Sequence, residues 1–144
     1  MAFLDDNYLI GNATGKRIFN EIKDLPVIDP HNHANVREIA DNACYSDAWQ
    51  LFAATDHYVW GMLRKRGVPE SLITGSEASA EEKFLAMAKV FPEIVGNPVY
   101  EWIHLDLKRY FGIDERLSEK TGRKIWNAVN EKLATDAFRP QALL

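Results

Sequence analysis

Between residues 26 and 30 the chain reads Pro-Val-Ile-Asp-Pro, and this short run narrows the fold more than any other part of the sequence. A proline removes a backbone donor and clashes with the preceding helical turn, so Pro26 and Pro30 exclude a helix interior here. The β-branched pair Val27 and Ile28 favours extended backbone. Pro26 to Asp29 is therefore read as a short strand, the only one in the chain, running into His31-Asn32-His33. Residues two apart on a strand point to the same side, so His31 and His33 can converge on one ion while Asn32 faces away. On a helix the two rings would stand about 200° apart. Neutral imidazoles suit zinc, and less selectively iron, nickel or manganese. Two ordinary loop histidines fit the same spacing. Catalytic zinc typically needs three protein ligands, and the other histidines, His57 and His104, lie in helical segments. Asp29 either orients the imidazoles or caps the loop.

The rest of the chain is helical in pattern. Ile18, Ile22 and Leu25 recur at helical spacing, which predicts a helix from about Thr14 to Lys23 that Pro26 stops. A short helix is expected over Val36 to Asp41. Ser46 can cap another through Trp49 and Phe52, and Thr55 or Asp56 a third, which ends at the basic turn before Gly67. Ser79 and Glu82 have capping-box spacing ahead of Phe84, Met87, Ala88 and Phe91. Asn97-Pro98 opens a helix that runs to about Phe111, and Ile125, Val129 and Leu133 mark one near Ser118 to Leu133. Trp49, Trp60, Trp102 and Trp126 read as core residues. Arg139-Pro140 looks like the entry to a further helix, of which only one turn follows. One turn has not repaid its nucleation cost, so the chain is expected to be the front part of something longer. The organisation expected is residues 1–34 as a helix and first strand, 35–135 as a helical region, and 136–144 as the start of the next helix.

Composition removes several function classes. With 144 residues, 47% of them hydrophobic and 26% charged, the chain can bury a real core. A net charge of −4 and the absence of a basic block argue against nucleic-acid binding, which uses positive charge to displace counterions. No apolar run approaches a membrane span, and the start of the chain lacks a signal-peptide pattern. A single cysteine fits a reducing compartment, so a cytoplasmic location is expected.

Seven segments taken together resemble the amino-terminal region of the uronate (glucuronate) isomerases of the amidohydrolase superfamily. They are residues 3–10 (FLDDNYLI), 25–33 (LPVIDPHNH), 56–60 (DHYVW), 67–68 (GV), 72–75 (LITG), 96–105 (GNPVYEWIHL) and 108–113 (KRYFGI). They follow in the family's order over nearly the whole chain. Many members have Cys where this chain has Asn32, a position expected to face away from the ion.

The resemblance implies a mainly helical chain with one short strand, forming the first part of a distorted (β/α)₈ TIM barrel with a helical insertion after strand 1. A barrel needs about 250 residues, so this length cannot close one. The implied activity interconverts aldoses and ketoses, D-glucuronate with D-fructuronate and D-galacturonate with D-tagaturonate. Carried over by position, His31 and His33 are metal ligands for a divalent ion such as zinc, His57 binds substrate, and Tyr58 transfers a proton or orients substrate. The third metal ligand, an aspartate, and the substrate-holding arginines would lie beyond residue 144. The expected partner is a small hexuronate, with no nucleic acid or membrane, and a homo-oligomer is compatible. A chain of this length is expected to be inactive alone. Two other readings stay open: a metal-dependent hydrolase of the same superfamily, and a non-catalytic helical module. The Asp56-His57-Tyr58 and Gly96-Asn97-Pro98 segments favour the isomerase over the hydrolase.

Overall fold

A computed structural model describes residues 3–31 and 35–143, and it divides into two compact units, Met1–His33 and Ala34–Leu144. The first unit carries α1 (Ala13–Ile22), capped by Asn12, whose side chain accepts the Gly15 N–H at 2.8 Å. The apolar stripe of this helix, Ile18, Phe19 and Ile22, is exposed.

No strand forms among the described residues. Residues 26–29 are irregular, and Val27 and Ile28 are 88% and 91% exposed. The prolines do keep the segment out of a helix. A strand, however, exists only as a member of a hydrogen-bonded ladder, and no described segment pairs with this one. Asp29 Oδ1 accepts the His31 N–H at 3.1 Å, a turn bond that fits the loop-capping reading of this aspartate.

In the second unit all regular elements among the described residues are helical. It contains α2 (Val36–Asp41), α3 (Ala48–Phe52), α4 (His57–Lys65), α5 (Ala80–Val90), α6 (Pro98–Arg109), α7 (Gly122–Leu133) and the short α8 (Pro140–Leu143), with 3₁₀ turns at Glu70–Leu72, Phe91–Ile94 and Asp136–Phe138. The starts of α2 to α6 each carry a side-chain cap. Ser79 and Glu82 form the expected box on α5, and Asn97 accepts the Val99 N–H at 3.0 Å with Pro98 in the first turn of α6. α3 departs from expectation, because its cap is Asp47, which accepts the Gln50 N–H at 2.9 Å. Ser46 sits one residue upstream, its hydroxyl on Asp47. No helix among the described residues is long and apolar enough to cross a membrane.

The core forms where α3, α5 and α7 meet. Phe84, Met87 and Ala88 from α5 bury against Ile125, Val129 and Leu133 from α7, and Trp49 and Phe52 close the third side. Asn130 Oδ1 receives the Ala48 N–H at 2.8 Å and fixes the start of α3 on α7. α5 and α7 approach closely at Gly122, where an added Cβ would stand 2.8 Å from Ala88 Cβ and 3.3 Å from Leu85 Cδ2.

α6 joins this core through Phe91, which stacks on Tyr100 at 5.5 Å and meets His104 edge-on at 5.3 Å. His104 is a buried structural residue. Its Nε2 accepts the Leu117 N–H at 2.9 Å, so Nδ1 carries the proton and donates to the Tyr100 carbonyl at 2.6 Å. Burial, helped by the charge of Arg116 and opposed by the Tyr100 bond, lowers its pKa. Protonation would set two donors against each other at Leu117. Two residues on, burial raises the Asp106 pKa from 3.8 to about 6, with Arg109 pulling it back. Its carboxyl lines a cavity of about 180 Å³ with Asp56 and Trp102.

Two stability effects follow from this packing. Gly122→Ala is expected to destabilise the unit by about 1–3 kcal/mol in denaturant unfolding, because the new methyl meets a Cβ that cannot rotate away. For Asp106, the folded state keeps its proton between pH 3.8 and about 6 while the unfolded chain does not, so its contribution to stability is lost as pH rises through about 6. Asp106→Asn is therefore expected to leave stability unchanged at pH 4 and to raise it on the order of 2 kcal/mol at pH 8. Urea unfolding at both values checks this, and equal effects at the two would contradict it.

Candidate functional site

The chemistry-bearing part of the second unit is the start of α4. Ala53 and Ala54 both donate N–H bonds to the Trp49 carbonyl and end α3, and Trp60 Nε1 donates to the Ala53 carbonyl at 2.7 Å. Asp56 then caps α4, its Oδ1 accepting the Tyr58 N–H at 2.7 Å and the Val59 N–H at 3.4 Å. Val59, Met62 and Leu63 bury the inner face of the helix. That burial turns its first two residues outward. The His57 and Tyr58 rings lie 4.3 Å apart at an interplanar angle of 35°, and Tyr58 is 51% exposed.

Both rings open onto a cavity of about 820 Å³ between α4 and the segment that leads into α6. Gly61 and Lys65 continue the α4 wall, and Asn97 and Trp102 stand on the α6 side. The walls are tied at one end by Arg66, which donates from Nη2 to the Glu93 carbonyl at 2.8 Å and pairs with its carboxylate at 3.6 Å. An added Cβ at Gly61 would meet nothing within 4 Å, so this part of the floor is open. The combination of two ring side chains with hydrogen-bonding heads, an indole, an amide and a cation suits a polar ligand that also has apolar faces.

The structure thus brings His57 and Tyr58 together on one cavity. His31 belongs to the first unit and is exposed, and His33 lies outside the described residues. Among the described residues no group of three or more His, Cys, Asp or Glu side chains is arranged to hold a metal ion. The imidazole of His31 is a suitable donor for zinc, and the fit of the His31–His33 pair rests on donor chemistry and spacing.

Trp102 is where the sequence reading missed a site residue. Trp49 is buried, and Trp60 and Trp126 are half-buried, but Trp102 is 53% exposed and lines the cavity beside His57 and Tyr58. The signal was present in the helical period: Val99, Ile103 and Leu107 share one stripe of α6, and Trp102 stands off it.

Comparison with known proteins places the chain. Residues 1–144 match the family described as glucuronate isomerase. The uronate isomerase of Thermotoga petrophila is 51% identical over 142 residues, 99% of this chain and 31% of that protein. The uronate isomerase of Lactococcus lactis subsp. cremoris is 46% identical over 145 residues, 100% of this chain and 30% of that protein. Among solved structures, the uronate isomerase of Thermotoga maritima superposes with a TM-score of 0.92 at 50% identity, over 99% of this chain and 31% of that one. The glucuronate isomerase of Caulobacter crescentus gives 0.88 at 30% identity, over 98% and 32%. The chain spans about 31% of the length of the Thermotoga relatives it matches. With its full length matched and its helices superposed on those of these proteins, the chain belongs to the glucuronate isomerase family.

Proposed function

We propose that this chain forms the amino-terminal part of a uronate isomerase, acting on D-glucuronate and D-galacturonate in hexuronate breakdown. The observation that carries the reading is the His57–Tyr58 pair, presented by a capped helix start on an open cavity in a chain of this family. The reaction moves a proton from C2 to C1 and a hydroxyl proton from O2 to O1 through an enediol. It needs a positioned acid–base group and positive charge near the two oxygens.

His57 binds the substrate through ring nitrogens that can donate or accept. Tyr58 orients a substrate hydroxyl or passes a proton at its own oxygen. Because Asp56 fixes the backbone under both, the two heads reach the cavity from one rigid turn. His31 and His33 would hold a divalent ion, zinc by their donor type. Such an ion supplies charge that polarises the carbonyl and hydroxyl oxygens. The remaining metal ligand and the substrate arginines would come from the rest of a (β/α)₈ barrel, which about 250 residues are needed to close. The single cysteine supports a cytoplasmic setting.

The test is a hybrid enzyme in which this chain replaces the matching 142-residue region of the Thermotoga petrophila protein. The hybrid is expected to interconvert D-glucuronate and D-fructuronate, while this chain alone gives no turnover. His57→Ala and Tyr58→Phe should each lower kcat/KM by about 10²-fold or more. His31→Ala with His33→Ala should lower bound zinc, measured by elemental analysis. A folded hybrid that turns over esters but no uronate would overturn the reading in favour of a hydrolase.

A further inference from the structure

We propose that Trp102 is a substrate-positioning residue, presenting its exposed indole to a C–H face of the hexuronate whose oxygens His57 and Tyr58 engage. This rests on the uronate reading above. α6 is already anchored without the indole, since Val99, Tyr100, Ile103, His104 and Leu107 are all buried. Trp102 nevertheless stands 53% exposed, the largest apolar surface that α6 leaves in water. It does so on a cavity that His57 and Tyr58 also line.

The indole lines the smaller cavity as well, beside Asp56, whose carboxylate caps α4. Trp102 therefore adjoins both the ligand space and the turn that orients the two rings. A sugar acid alternates apolar C–H patches with oxygens. Sites for such ligands meet the patches with an aromatic side chain and the oxygens with a few placed polar groups. The carboxylate has a counterpart on the same wall in Lys65, which makes no ion pair among the described residues, whereas Arg66 is already held by Glu93.

The hybrid enzyme tests this with Trp102→Ala, which removes the platform, and Trp102→Phe, which keeps a smaller flat ring. The expected result is a KM for D-glucuronate raised about ten-fold or more in Trp102→Ala, with kcat within about three-fold and partial recovery of KM in Trp102→Phe. A residue that only packs would lower the thermal midpoint in both variants and leave KM unchanged, which overturns the assignment. If Trp102→Ala does not fold, Trp102→Phe decides: a KM raised about three-fold supports the role, and an unchanged KM overturns it. An active hybrid insensitive to Trp102 leaves the uronate reading standing. A folded hybrid without uronate turnover, Trp102 intact, removes both.

Discussion

The bond from the Tyr58 N–H to Asp56 Oδ1 is the constraint on which the described site depends. A helix start leaves its first N–H groups without partners, and a capping carboxylate both satisfies them and fixes where the first residues point. Here those residues are His57 and Tyr58. Their backbone is held by the cap and their side is chosen by burial of Val59, Met62 and Leu63 behind them. Trp60 adds a second tie to the end of α3. The two rings are therefore carried by a rigid turn even though both are exposed, and precise placement of exposed groups is what a binding site requires.

α6 shows how one helix can serve structure and site together. Its inner stripe is consumed by the core, where His104 acts as a hydrogen-bonded spacer between Tyr100 and Leu117. A neutral imidazole with both nitrogens engaged is a connector; it has no lone pair left for an ion and no proton to give. Trp102 and Asp106, off that stripe, are left half-exposed and partly buried respectively, and they border the cavities. The division between the two jobs is a matter of angle around the helix axis.

Most of the helical layout was legible because capping is local chemistry. Asn97-Pro98, Ser79 with Glu82, and Asp56 announce helix starts through the atoms they offer to the backbone, whatever surrounds them. The strand was not legible in the same way. Pro26 and Pro30 say what the segment cannot be, but pairing is a property of two segments, and none of the described residues pairs with this one. Of the site, the His57–Tyr58 pair was found by resemblance, not by periodicity. Trp102 was misjudged because a tryptophan is a good core residue by type, and only its register on α6 tells which face it takes.

The size of the cavity at His57 and Tyr58 bears on how a ligand would be held. A hexuronate has roughly thirteen non-hydrogen atoms and would fill a small part of about 820 Å³, so this wall would touch it from one side while water filled the remainder. Contact on one face sets the ligand's orientation but removes little of its hydration, and affinity stays low until solvent is expelled. Discrimination between epimeric sugars, which differ only in the direction of one hydroxyl, would then fall to whatever closes the opposite side.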